Sequence, residues 1–187
     1  MNEPGRRLLT VGHGTLESDE FTALLRGAGI QAIVDVRSAP GSRRHPQFGR
    51  GELESWLPDA GIAYHWGPDL GGFRKPSVDS PNVALRNAAF RGYADFMRTT
   101  PFIDALNRTL DDASRHPVAI MCAESLWWRC HRRLIADAAE LLFDTNVQHL
   151  SHDGRLSPHR LTDGVRVEDS RHLMYDVIDQ TATWAAT

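Results

Sequence analysis

Residues 118–133 read VAIMCAESLWWRCHRR and lead from a short apolar run into a helical pattern. Between the two lie reactive side chains: two thiols, a carboxylate, three guanidiniums, an imidazole and two indoles. Ligands of open α/β sheets bind at the carboxyl ends of the strands, so such a junction predicts a functional site. A junction that served stability alone would carry small and apolar residues.

The composition is that of one soluble globular domain. The chain has 187 residues, of which 41% are hydrophobic and 24% charged, and its formal net charge is −3. No apolar run approaches the roughly 20 residues that span a bilayer, and residues 1–10 lack the apolar core of a signal peptide. Two cysteines do not form a disulfide framework. We therefore expect a cytoplasmic protein that does not contact a membrane.

Apolar runs alternate with helical patterns along the chain. Strands are predicted at residues 8–11, 32–36, 62–66, 118–122 and 147–150, and helices at 18–29, 52–60, 86–98, 101–114 and 127–143. This alternation indicates an α/β fold: a single-domain three-layer sandwich with a mostly parallel central sheet of about five strands. The domain spans residues 1–187 with a C-terminal extension at 152–187. Residues 67–82 resemble a long loop or lid, and residues 172–180 a terminal helix.

Polar side chains follow three of the predicted strands. His13 follows the first, Asp35 and Arg37 end the second, and Glu124 and His131 follow the fourth. The carboxyl ends of parallel strands lie at one edge of a sheet, so we expect these candidate catalytic residues to meet in one cleft. Two alternatives stay open. Asp35 and Arg37 can form a buried ion pair that holds the following loop, and Glu124 can stabilise the start of the following helix.

Basic and aromatic residues cluster in two segments, although the net charge is negative. Arginines on a mildly acidic chain indicate a local anion site, and aromatic rings beside them can stack on bases. The residues expected to bind DNA are Arg43, Arg44, His45, Phe48, Tyr64, Trp127, Trp128, Arg129 and Arg132. Helical spacing would also place His131 on the same helix face as Trp127.

Cys122 offers a second kind of chemistry. Cys122 and Arg129 form a C-x6-R pattern, one residue longer than the C-x5-R loop in which phosphatases and sulfurtransferases hold an oxyanion beside a nucleophilic cysteine. Cys122 is therefore an alternative nucleophile, or else a small buried hydrophobic residue. We expect Cys130 to lie inert in a helix. The cysteines lack a paired ligand spacing such as C-x2-C, so we predict no metal site even with His13 and His131 in the sequence.

These motifs resemble the domain of unknown function 488 family over residues 8–151. The matching segments are Thr10-Val11-Gly12-His13, Val34-Asp35-Val36-Arg37-Ser38 with Pro40 and Ser42-Arg43-Arg44, Tyr64, Leu70-Gly71-Gly72, Met121-Cys122-Ala123-Glu124 and Cys130-His131-Arg132. The resemblance implies a compact α/β domain. It also implies that some members act on nucleic-acid bases as N-glycosylases, including in defence against phages with modified DNA.

Together, the residues and the resemblance favour a DNA glycosylase that removes a modified or bulky base and leaves an abasic site. Cleavage of the N-glycosidic bond develops positive charge on the sugar, which a carboxylate stabilises. Arginines would hold phosphates and aromatic rings would stack on the extruded base. The expected partner is DNA with modified bases, and no cofactor is expected. The alternatives are a phosphatase-like or sulfurtransferase-like enzyme that uses Cys122, and a non-catalytic nucleic-acid-binding module.

Overall fold

The centre of the protein is a six-stranded sheet. The structure is a computed structural model that describes residues 6–41, 43–169 and 171–177. Across the sheet, the strands are β3 (Ala63–Trp66), β2 (Ala32–Asp35), β4 (Val118–Cys122), β1 (Arg7–Gly12), β5 (Asn146–Leu150) and β6 (Leu156–Pro158). The first five are parallel to their neighbours, and β6 runs antiparallel to β5. The predicted mostly parallel sheet is confirmed, and β6 is an additional strand.

Helices cover both faces of this sheet. In the part of the chain that the structure describes, the helices are α1 (Ser18–Gly27), α2 (Arg50–Asp59), α3 (Ala88–Phe96), α4 (Thr100–Ala113) and α5 (Arg132–Phe143). Successive strand residues point to opposite faces: Leu8 packs in the core beneath α3, α4 and α5, and Leu9 in the core beneath α1 and α2. The three-layer α/β sandwich is thus confirmed. None of the described helices is long and apolar enough to cross a bilayer.

The segment after β6 folds back onto α5. Its strands β7 (Val165–Val167) and β8 (Leu173–Tyr175) form an antiparallel pair. Buried Asp137 of α5 accepts hydrogen bonds at 2.9 Å from the Tyr175 hydroxyl and from Nε2 of His159. The predicted terminal helix at residues 172–180 is wrong over β8, because its side chains alternate between core and surface with the period of a strand. Residues 178–180 lie outside the described residues.

The junction between β4 and α5 differs from the predicted helix. A 3-10 turn begins at Trp127, Cys130 is extended, and α5 begins only at Arg132. The indole of Trp127 stacks on the ring of His149 in β5, with centroids 4.0 Å apart and planes 6° from parallel. The helix predicted from residue 127 is therefore wrong up to residue 131, and Trp127 shares no helix face with His131.

Candidate functional site

A cavity opens at the carboxyl edge of the three central strands. β2, β4 and β1 lie side by side, so the segments that follow them meet at one edge. The cavity has a volume of about 720 Å³, within the range of roughly 300–1,000 Å³ typical of small-molecule sites. Of the predicted site residues, those in its lining are His13, Arg37, Arg44, His45, Cys122, Glu124, Arg129 and His131. The sheet topology brings these side chains together, and their roles stay predictions.

Asp35 lies beneath the cavity and not in its lining. Its side chain has no exposed surface. Arg37 donates from Nε to Oδ1 at 2.8 Å and from Nη2 to Oδ2 at 2.6 Å, and the Tyr64 hydroxyl donates to Oδ2 at 2.8 Å. Burial and the Asp35 charge raise the pKa of Tyr64. The expectation that Asp35 faces a substrate is therefore corrected: both carboxylate oxygens are paired inside the protein, as in the buried-pair alternative.

Arg37 connects this ion pair to the cavity wall. Its Nη1 donates to Nε2 of His13 at 3.3 Å. Nδ1 of His13 lies 3.0 Å from the Gly14 carbonyl, which can only accept, so the neutral ring has its lone pair on Nε2. Burial, together with the Arg37 charge, lowers the pKa of His13 to about 4. The imidazole is neutral at pH 7 and is placed to orient Arg37.

Glu124 is the carboxylate of the cavity lining among the described residues. Its side chain is half-buried, and Oε1 accepts the backbone N–H of Leu126 at 3.2 Å. Oε2 makes no hydrogen bond to the part of the chain that the structure describes. Glu124 therefore stabilises the turn that follows β4 and not, as one alternative predicted, the start of the helix, which begins only at Arg132. One oxygen remains for a ligand.

Arg132 lies behind the cavity wall, where it cannot contact a polymer. Only 1% of its surface is exposed. The guanidinium donates to the carbonyl of Glu124, and at 3.4 Å to the Thr10 hydroxyl and to the sulfur of Cys130. The predicted phosphate contact is corrected, because these buried contacts make Arg132 a cross-link between β1 and the segment after β4.

Cys122, Cys130 and His131 meet in one wall of the cavity. Their sulfurs and an imidazole nitrogen all lie within 4.8 Å of one another. A hydrogen bond between the thiols raises the pKa of Cys122 and lowers that of Cys130, and His131 lowers the Cys130 pKa further. The expectation that Cys130 lies in a helix is wrong, because it precedes α5 and lines the cavity. Its reactivity stays a prediction.

The aromatic residues predicted to stack on bases take other positions. Phe48 is fully buried and its ring lies on that of His13, with centroids 4.1 Å apart. The Tyr64 hydroxyl donates a hydrogen bond to Asp35, and Tyr64 does not line the cavity. Trp127 and Trp128 line a second cavity of about 540 Å³. None of these four rings lines the main cavity. The predicted stacking on a base is corrected for Phe48 and Tyr64, and it stays a prediction for Trp127 and Trp128.

The aromatic side chains of the main cavity are Phe73 and Phe90, neither of which was predicted from the sequence. Phe73 is 86% exposed and lies in the segment predicted as a lid. The preceding Gly71-Gly72 pair was a sequence signal for a close backbone approach. In the structure, a Cβ on Gly72 would lie 2.6 Å from Nδ1 of His131. Phe90 follows the apolar pattern of α3, which carries no sign that its ring reaches a cavity.

The basic loop after β2 contributes part of the rim. Arg44 is exposed and lines the cavity together with half-buried His45, and Arg129 reaches the same lining from the segment after β4. Arg43 is exposed but outside this lining. Ser42 lies outside the described residues.

Fold and site together define a three-layer α/β protein with a polar cavity at the carboxyl edge of its parallel strands. The family model described as "Domain of unknown function DUF488" matches residues 17–139, which are 123 of the 187 residues. The chain belongs to this family. No curated protein and no solved structure matches it. The family description states no activity, so the function has to be argued from the cavity.

Proposed function

We propose that the protein is a DNA glycosylase that hydrolyses the N-glycosidic bond of a modified or bulky base. The composition of the main cavity carries this proposal. The cavity combines Glu124, a carboxylate with an unpaired oxygen among the described residues, with arginines, the exposed ring of Phe73 and the half-buried ring of Phe90. Its volume of about 720 Å³ suits a nucleoside that has been extruded from a duplex.

Glu124 is the residue proposed to act on the sugar. As the bond between C1′ and the base nitrogen breaks, positive charge develops on the sugar and a nearby carboxylate stabilises it. Glu124 then accepts a proton from a water molecule whose oxygen bonds to C1′. The departing base nitrogen takes a proton from solvent, so the reaction consumes one water and leaves an abasic site.

Other cavity residues are assigned to binding. Arg44 and Arg129 are exposed and would hold the phosphates that flank the extruded nucleotide. Phe73, which is exposed, would stack on the base. The half-buried ring of Phe90 would line the same space, with one face covered by the guanidinium of Arg133, 4.7 Å from the ring centroid. Asp35 is a positioning residue in this scheme, because it acts only through Arg37.

The test is a comparison of Glu124→Gln with Glu52→Gln, a change at an exposed glutamate of α2. Each protein is incubated with oligonucleotides that carry different base modifications, and abasic sites are detected as alkali-labile breaks. We expect Glu124→Gln to lower the rate by about 10²- to 10⁴-fold, with DNA affinity retained and the control at the wild-type rate. Folded wild-type protein that produces no abasic site on any modified DNA would refute the proposal.

A cysteine-dependent reaction is the second candidate. The observation that favours it is the pair of cysteines in the cavity lining, in which Cys130 has a lowered pKa. Turnover of a phosphate ester or a sulfur donor that is lost in Cys122→Ser or in Cys130→Ser but retained in Glu124→Gln would establish this reading. Salt-sensitive DNA binding with no product from either reaction would identify a binding module instead.

A further inference from the structure

We propose that Cys122, Cys130 and His131 bind a divalent transition-metal ion, with zinc the best match, in the wall of the main cavity. The ligand atoms are the two sulfurs and Nδ1 of the imidazole. This inference goes beyond the glycosylase reaction, which needs no metal ion. It also departs from the prediction of no metal site, which rested on spacing along the sequence.

The separation of the ligand atoms fits a tetrahedral site. Zinc binds thiolate sulfur at about 2.3 Å and imidazole nitrogen at about 2.0–2.1 Å, so the sulfur and nitrogen of one tetrahedral site lie about 3.6 Å apart. Nδ1 of His131 lies 3.6 Å from Sγ of Cys130. Sγ of Cys122 completes a group whose members all lie within 4.8 Å of one another.

His131 is oriented as a ligand through Nδ1. Its Nε2 lies 3.0 Å from the carbonyl oxygen of Val36, which can only accept a hydrogen bond. Nε2 therefore carries the proton in the neutral ring, and Nδ1 has the lone pair. Metal-binding histidines are commonly fixed in this way, by donating their other N–H to a backbone carbonyl.

Gly72 lies over a face of the His131 ring and not over its edge. A Cβ on Gly72 would lie 2.6, 2.8 and 3.0 Å from Nδ1, Cγ and Cε1 of His131. Because the three distances are similar, the glycine lies over the face of the ring. The lone pair of Nδ1 points out of the ring edge, in the plane of the ring, and is not covered by this contact.

The donor set is selective for zinc-like ions. Two thiolates and an imidazole are soft ligands that favour zinc over magnesium or calcium, which prefer oxygen. Two thiolates balance the charge of a divalent ion. Nε of Arg132 donates to the sulfur of Cys130 at 3.4 Å and so orients this ligand from behind.

The site would leave one coordination position open to the cavity. Within the described residues, the group contains three His, Cys, Asp or Glu side chains and no fourth, and all three line the cavity. Structural zinc sites have four protein ligands, whereas sites with three keep a position for water or a ligand. The proposed ion would therefore contact whatever molecule occupies the cavity.

Binding of the metal alone tests the proposal. Reduced, chelator-treated full-length protein is titrated with Zn²⁺ against a chromophoric chelator, and with Co²⁺ as a spectroscopic probe. We expect one equivalent per chain and a thiolate-to-cobalt charge-transfer band in the near ultraviolet. Cys122→Ser, Cys130→Ser and His131→Gln should each weaken binding by more than the roughly 10- to 100-fold typical of residues that only orient a ligand. His65→Gln, at an exposed histidine of β3, should match the wild type.

Two results would overturn the proposal. One is the absence of stoichiometric Zn²⁺ binding by protein whose two thiols have been shown to be reduced. The other is a cobalt complex without the thiolate band, which decides the question even if the cysteine variants fail to fold. Because the readout uses no DNA, failure here leaves the glycosylase proposal standing. Base release measured in excess chelator tests the glycosylase proposal without the metal ion, so each proposal can fail independently of the other.

Discussion

At the scale of single residues, Asp35 determines how Arg37 is presented to the cavity. The two side chains lie two positions apart at the end of β2 and form a bidentate ion pair with the carboxylate fully buried. Strand alternation predicts that they point the same way, and it does so correctly. It cannot predict that the pair is shielded from the cavity. That shielding depends on hydrogen bonds with the Tyr64 hydroxyl and the Phe48 carbonyl, which belong to other segments of the chain.

Asp35→Asn is predicted to destabilise the fold by about 3–5 kcal/mol, because removal of one partner leaves a buried, uncompensated charge on Arg37. Glu124→Gln retains the oxygen that accepts from Leu126 and should change stability by no more than about 0.5 kcal/mol. The free energy of unfolding is measured by urea denaturation of both variants. Equal stabilities would show that Asp35 does not hold Arg37 in the folded protein.

At the scale of elements, the segment between β4 and α5 is where the sequence was least informative. The apolar residues of β4 predicted its bounds correctly, since a buried parallel strand depends mainly on its own composition. The following helix was predicted too early. The side chain of Trp127 packs on β5, a contact that propensity along the chain cannot show, and this leaves Cys130 extended toward the cavity.

The close approach of β1 to this segment gives a prediction for Gly12. A Cβ at Gly12 would lie 1.9 Å from the carbonyl oxygen of Glu124, so Gly12→Ala should destabilise by about 1–3 kcal/mol or more through overpacking. At Gly27 of α1, a Cβ would meet nothing within 4 Å, and Gly27→Ala should stabilise by up to about 1 kcal/mol. Thermal melting of the two variants checks the opposite signs. A neutral Gly12→Ala would mean that the segment after β4 moves freely.

At the level of the whole molecule, the residues matched by the family model cover only part of the central sheet. The matched residues 17–139 exclude β1, which lies between β4 and β5 in the middle of the sheet. They also exclude β5 itself. The order of the strands depends on pairings over more than a hundred residues, such as Leu9 with Ala119, which local patterns predict only as a sheet of unspecified order.

A fragment of residues 17–139 is therefore predicted not to fold. Without β1, one edge of β4 is unpaired and the apolar residues that contact it lose their partners. We expect no cooperative thermal transition and rapid amide exchange for this fragment, against a single transition for residues 6–177. A cooperative, protected fragment would show that β2, β3 and β4 suffice for a core.

The hydrogen bonds of Asp137 have a consequence for synthesis on the ribosome. Its two side-chain partners, His159 and Tyr175, are translated 22 and 38 residues after it. At about 5–20 residues per second, seconds pass between the synthesis of α5 and the synthesis of Tyr175. During this time the Asp137 carboxylate lacks the side-chain partners that accommodate it in the apolar interior. We therefore expect the nascent helix to dock only after the later strands have emerged, which would delay closure of that layer.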